Sequence, residues 1–240
     1  MGKKILEVIQ CMNDLRKDLN FGDKEGITQE QLSRIEKEYK DYKDQIRPRE
    51  KEENFEIVDI EGNSKRLVAP RWLCHVLALR HISAHVLLKW KDFWVFQVRN
   101  WNKSDSPGRL DISVGGHVKA SQSIEKTVYA EMEEELGIQR AYLKGKEVLY
   151  CGSYKSYNER SDDNFYNAEW RDIFIGEISI ECLENLRFKD KEVVGIYLCP
   201  EKEAENLLNQ KVIPIASGLE GSMKRVLKID KWDKTPSGRL

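Results

Sequence analysis

The run GGHVKASQSIEKTVYAEMEEELGI, residues 115–138, carries the side chains whose types and spacing most directly suggest chemistry: Glu131, Glu134 and Glu135. On a helix, where each residue turns by about 100°, these three carboxylates fall within an arc of about 100° and Glu133 points elsewhere. Ile124, Val128, Met132 and Leu136 form the neighbouring apolar stripe, and Glu135 falls inside its angular range. Carboxylates crowded together, one of them over a core, repel each other and lose hydration, which is costly unless a cation neutralises them. Hard oxygen donors with no cysteine nearby select Mg2+ or Mn2+. The competing reading of EMEEE is a solvated acidic face; the flanking glycines and the spacing favour the metal.

The elements around this run must position it. A Gly-Gly pair leaves a strand, Ser123 is placed to cap a helix, and Gly137 to close it. From Phe55 onward the chain shows short β-type runs, FEIVDI at 55–60 before the turn Glu61-Gly62-Asn63, then 82–89, 93–98, 110–114, 145–153 and 170–179. Helical patterns cover 123–136 and 201–209. The first fifty residues differ. Ile5, Val8, Ile9, Met12, Leu15 and Leu19 recur at helical spacing over 3–20 before Phe21-Gly22-Asp23. Thr28 and Gln31 have the spacing of a capping box, and Leu32, Ile35, Tyr39, Tyr42 and Ile46 carry a second stripe to about Gln45. RPREKEEN at 47–54 reads as a linker. This places a helical N-terminal extension at 1–50, as a hairpin for packing or dimerisation, and one α+β domain at 51–240, with a frayed C-terminal end.

Composition excludes some partners. Forty basic and 41 acidic residues leave a net charge of −1, which argues against binding nucleic acid through a bulk basic surface. Cys11, Cys74, Cys151, Cys182 and Cys199 show no C-x-x-C pairing and read as reduced thiols. The N-terminus lacks a signal-peptide apolar core and no stretch is long enough to span a bilayer, so the expectation is a cytoplasmic protein without a membrane partner.

The 115–138 segment resembles the Nudix box: G, five residues, E, seven residues, REU, one residue, EE, one residue, GU. Gly116, Glu131, Glu134, Glu135, Gly137 and Ile138 match; Gln122 stands for the first glutamate and Ala130 for the arginine. Between about Phe55 and Glu192 the chain looks similar to the Nudix branch of isopentenyl-diphosphate isomerase. The shared features are FEIVDIEGN, APRWLCH (69–75), RHISAHVLL (80–88) and QVRNWNKSDSPGRLDISVGGHV (97–118). The isomerase cysteine is absent, since Gly115 occupies its place before the Gly-His pair.

The resemblance implies a Nudix-type mixed β-sheet sandwiched between helices. It further implies Mg2+-dependent hydrolysis of a diphosphate linkage in a nucleoside-diphosphate-type or related small molecule. Glu134 and Glu135 would be the principal ligands, with Glu131 and the Gly116 carbonyl completing the site; Glu131, Glu135 and Glu169 are the candidates for general base. The isomerase's metal-binding histidines correspond to His75, His81 and His117, its catalytic glutamate to Glu169, and another acidic ligand to Asn167. His85 is the fourth histidine of these segments. Arg71, Arg99 and Lys103 are the candidate diphosphate contacts, Glu192 is a recurrent acidic position, and Trp72, Trp101 and Trp170 are candidates for stacking on a base. The departures at Gln122 and Ala130 motivate an alternative, a binding or regulatory module with little turnover. Isomerisation needs a proton donor and acceptor on opposite faces of the carbon chain, and without the cysteine Glu169 supplies one.

Overall fold

Thr28 shows how local chemistry sets the first elements. Its hydroxyl accepts from the Gln31 amide at 3.2 Å, while the Gln31 side chain accepts from the Thr28 amide at 2.8 Å, the reciprocal bonds of a capping box. The helix so started is α2 (Gln29–Tyr39), which follows α1 (Gly2–Leu19). A computed structural model describes residues 2–20, 27–48, 50–103, 105–189, 191–210 and 212–228 of the chain. The turn expected at Phe21–Asp23 and the C-terminal tail lie outside these residues.

The second helix does not run unbroken to Gln45. It gives way to a 3-10 turn at Lys40–Tyr42 and a short α3 (Lys43–Ile46). The apolar spacing of three and four residues survives the break, so Leu32 and Ile46 are both buried and Ile35, Tyr39 and Tyr42 pack against the same core.

The chain divides into two units. The first comprises residues 1–83, 117–122 and 153–171. Its core joins Val8, Met12, Leu19, Leu32 and Ile46 to Phe55, Ile57, Leu67, Ala69 and the buried face of α4 (Arg71–Leu77). The boundary expected at residue 50 therefore falls inside this unit. Strand β1 (Asn54–Val58) pairs antiparallel with β2 (Ser64–Pro70), from Asn54↔Pro70 to Val58↔Ser64. Their turn is fastened by Asp59, whose Oδ1 accepts from the Glu61 and Asn63 amides at 2.8 and 2.9 Å. Gln29 bonds both backbone groups of Val68, at 2.7 and 2.8 Å, and so occupies part of the open edge of β2. Ile57 pairs with His81, the first residue of β3 (His81–Trp90).

The second unit comprises residues 84–116, 123–152 and 172–240. Within it β4 (Phe93–Arg99) pairs antiparallel with β3 and along its whole length with β9 (Val193–Pro200), from Phe93↔Pro200 to Arg99↔Val193. β5 (Leu110–Asp111) lies against Gln97 and Val98. The expected strand 110–114 is interrupted before β6 (Val114–His117) because Ser113 uses its side chain in place of backbone pairing. Its hydroxyl donates to the Val95 carbonyl and accepts from the Leu88 amide at 2.7 Å. The strand expected at 145–153 starts only at Leu149, in β7 (Leu149–Arg160), since 3-10 turns occupy 140–146 and Gly145 has φ 75°. β7 pairs with β8 (Phe165–Glu177). The core of this unit joins Ala84, Val86, Leu88 and Val95 to Val128, Met132 and Leu136 of α5 (Ile124–Leu136), and to Phe174 and Val193. The short α6 (Ile180–Glu184), α7 (Ala204–Gln210) and α8 (Ser217–Val226) complete an α+β fold. No helix among the described residues is long and apolar enough to cross a membrane, and all five cysteines are free thiols.

Candidate functional site

In the second unit, α5 begins and ends where the sequence places it. The Ser123 hydroxyl accepts from the Lys126 amide at 3.2 Å. Gly137 adopts φ 72°, its amide reaches the Glu133 carbonyl at 3.0 Å, and the Ile138 amide reaches the Met132 carbonyl at 3.0 Å. The bond from Gly137 to Glu133 is that of an αL cap, which needs the left-handed conformation glycine adopts without strain.

The three glutamates occupy different surroundings. Glu135 is buried with Val128, Met132 and Leu136, and its Oε2 lies 3.4 Å from the amide nitrogen of Gly115. Glu131 is half-buried, and its carboxyl group lies so close to the Cα of Gly116 that a methyl group there would overlap it. Glu134 is exposed and, with Ala130, Glu133 and Lys189, lines an open depression of about 410 Å3. Two of the three carboxylates thus face the Gly-Gly strand, and the third opens to solvent. Among the described residues, the oxygens of these three carboxylates do not converge as a group of metal ligands; the type of donor, hard carboxylate oxygen, is the one that suits Mg2+ or Mn2+.

The first unit contains a separate group. His75 lies on α4, His81 opens β3 and His117 ends β6. Ligand atoms of the three rings all lie within 4.8 Å of one another. The Nδ1 of His75 is 2.8 Å from Oε1 of Glu50, and the Nδ1 of His81 is 2.9 Å from the Leu79 carbonyl. Both partners are acceptors, so each Nδ1 carries the proton and each Nε2 presents a lone pair. The Nε2 atoms of His75, His81 and His117 are buried and hydrogen-bond to nothing. Phe55 stacks on His81 and His117, with centroids 4.7 and 5.0 Å apart, and Phe165 meets His75 edge-on. Burial pushes His75 and His117 down to about 4 and His81 to about 3, so all three are neutral at neutral pH, as metal ligands must be.

Glu169 stands beside this group. Its Oε1 is 3.1 Å from Nε2 of His117, outside hydrogen-bonding alignment, and its Oε2 accepts from Nε and Nη2 of Arg171 at 2.8 and 2.6 Å. Burial opposes its charge, but the Arg171 guanidinium beside it holds the carboxyl well below the usual range. Asn167 is buried with an unbonded Oδ1. Orphaned nitrogens next to an ionised carboxylate form a donor set that fits a divalent transition ion.

The candidate diphosphate contacts are all ion-paired: Arg71 with Glu50 and Glu53 at 2.7 and 2.8 Å, Arg99 with Asp111 at 3.0 Å, and Lys103 with Glu192 at 2.6 Å. Trp72 is buried, Trp170 packs against Gly62, and Trp101 is 73% exposed, resting on Gly108. His85 bonds Ser222 at 2.8 Å in the core of the second unit and takes no part in the histidine group. Sequence reasoning missed Glu50, placed in a linker, and Arg171. The latter had a signal: Asn167, Glu169 and Arg171 alternate on one face of β8.

No family model matches the chain. Nudix hydrolase 3 of Arabidopsis thaliana is 25% identical over 170 residues, which is 67% of this chain and 21% of that protein. An uncharacterized Nudix hydrolase of Clostridium acetobutylicum is 28% identical over 165 residues, 59% of this chain and 78% of that one. Both relatives are Nudix hydrolases, and the chain is similar to them in sequence. The match thus spans about a fifth of the Arabidopsis relative's length and most of the clostridial one's. The solved structure of DR0079 from Deinococcus radiodurans shares the fold, with a TM-score of 0.55 at 18% identity over 72% of this chain and 98% of that one.

Proposed function

We propose that the chain hydrolyses a diphosphate linkage in a nucleoside-diphosphate-type or related small molecule. Glu131, Glu134, Glu135 and the Gly116 carbonyl would hold Mg2+ or Mn2+. The observation that carries this reading is the contact between Gly116 and the Glu131 carboxyl, with Glu135 buried at the adjoining Gly115. A purely solvated acidic face would not turn two carboxylates toward a glycine pair. The metal would neutralise developing phosphate charge and lower the pKa of a bound water. Glu131 and Glu135 are the nearer candidates for general base. Glu169, tied by Arg171 as a strongly acidic carboxylate, suits a ligand better than a proton acceptor.

The orphaned nitrogens of His75, His81 and His117 favour a second centre, in which these rings and Glu169 hold a transition metal. Gly115 supplies no proton donor for isomerisation. A binding module with little turnover is the competing function, motivated by the depression that Ala130 leaves where the box has arginine.

Purified protein with Mg2+ or Mn2+, presented with nucleoside diphosphate derivatives, capped nucleotides and isoprenoid diphosphates, decides between them. The hydrolase releases phosphate or monophosphate from at least one compound, and Glu134→Gln and Glu135→Gln abolish the release. Binding without turnover across the panel rejects the enzyme.

A further inference from the structure

Glu50 is an acidic residue of an otherwise polar run, yet its side chain is 5% exposed. Three cationic or donor groups surround it. Arg47 donates to Oε2 through Nε at 2.9 Å and Nη2 at 2.7 Å. Arg71 donates to Oε1 through Nε at 2.7 Å, and His75 shares the same oxygen through Nδ1 at 2.8 Å. Arg47 is itself fixed, since Nη1 donates to the Asp163 carbonyl at 3.0 Å and the guanidinium lies 4.7 Å from the Phe165 ring centre. Glu53 takes the other end of Arg71, at 2.8 Å, and pairs with Lys119 at 3.0 Å. It does not touch His75.

We propose that Glu50 is a positioning residue for the histidine group: it fixes His75 as the Nδ1–H tautomer and aims its Nε2 lone pair at His81 and His117. This rests on the reading that these rings hold a divalent ion. A buried carboxylate is an acceptor only, so the imidazole can approach it only with a proton on Nδ1. The bare Nε2 is then obligatory. Leaving a buried acceptor unmade costs about 1–3 kcal/mol, and two guanidiniums spent on one carboxylate are an elaborate way to impose that cost for packing alone. A metal ligand oriented and made more basic by a carboxylate behind it explains the arrangement. The consequence reaches the first fifty residues. The segment read as a helical extension ends in the group that prepares a ligand.

Two measurements on the full chain test this. Long-range 1H–15N NMR of the metal-free protein reads histidine tautomers directly. His75 is expected as the Nδ1–H form, with mixed or reversed tautomers in Glu50→Ala; an Nε2–H His75 in the native chain overturns the proposal. Co2+ titration, followed by its visible absorption and by calorimetry, reads the metal. Wild-type protein is expected to bind Co2+ with a band that His81→Ala abolishes. Second-shell substitutions weaken metal affinity on the order of 10- to 100-fold, so Glu50→Ala falls in that range. Glu50→Asp keeps the charge that Arg47 and Arg71 need but retracts the oxygen from Nδ1; it weakens binding with little change in melting temperature. Glu50→Gln, which retains an acceptor, recovers part of the affinity, and Glu53→Ala leaves it near wild type. Equal affinity in wild type and Glu50→Asp, or equal losses in Glu50→Ala and Glu53→Ala, overturns the positioning role. Failure of the wild-type chain to give a His81-dependent band rejects the metal centre, and the role with it, even where the tautomer is as expected.

Discussion

The carboxyl group of Glu131 lies against the bare Cα of Gly116. The φ of Gly116 is not positive, so alanine there meets no backbone strain, and what it displaces is the end of a flexible side chain. Gly116→Ala is therefore expected to spare the fold and move Glu131. Misplacement of a catalytic group by about 1 Å costs on the order of 100-fold in rate. Steady-state turnover and a melting curve check this; a stable variant with wild-type turnover removes Glu131 from the site.

Ala130 opens the depression beside Glu133 and Glu134. Arginine at 130 has room there and supplies a charge-assisted bond to a neighbouring carboxylate. Ala130→Arg is expected to raise Mg2+-dependent turnover about tenfold, the value of one such oriented bond. Unchanged turnover in a folded variant shows that the missing arginine is not what limits this helix.

Arg171 answers the buried charge of Glu169 and also bonds the Tyr154 hydroxyl at 3.3 Å. Breaking a buried pair from one side costs about 3–5 kcal/mol. Arg171→Met is expected to lower stability by that order in urea unfolding, and Glu169→Gln added to it to restore a large part. Additive losses in the double variant contradict the pairing.

Metal-free protein should lose stability on mild acidification. The folded-state values of His75 and His117, about 4, lie below the ordinary 6.5 because burial disfavours the charged rings. The unfolded chain therefore takes up protons first. The stability contributed is full above pH 6.5 and declines as pH falls toward 4, by about 2 kcal/mol per histidine at pH 5. Glu50 and Glu169, whose values are lowered, act only below about 4.5, so the two effects separate. Urea midpoints with chelator at pH 7.5, 6 and 5 measure it. Equal midpoints from 7.5 to 5 would falsify the neutral, buried histidines.

What was legible in the sequence was local or periodic. Ser123, Gly137 and the Thr28–Gln31 box act within a few residues of their bonds, and helical spacing alone put Glu135 over the core. Strand β2 was not legible, because SKRLVAP gains its conformation from pairing with β1. Helix α8 was hidden by two glycines and two serines of low helix propensity; it forms because Leu219, Ser222, Met223 and Val226 are buried. The bond from His75 to Glu50 spans 25 residues and leaves no trace in spacing. Family resemblance brought the three histidines forward together, but their tautomers follow from contacts that only the folded chain makes.

The ion pairs of Arg99 with Asp111 and Lys103 with Glu192 would bear on selectivity if these cations contact the substrate. A cation already matched to a carboxylate offers little attraction to a weak or singly charged anion, which must first outcompete a resident tethered at high local concentration. A polyanion such as a diphosphate can make that exchange, and the released Asp111 or Glu192 then becomes a repulsive neighbour that any ligand must tolerate. If Arg99 and Lys103 are the diphosphate contacts, such pairs would act as a charge threshold: they would set the least negative molecule that can enter, and make entry fall with rising salt.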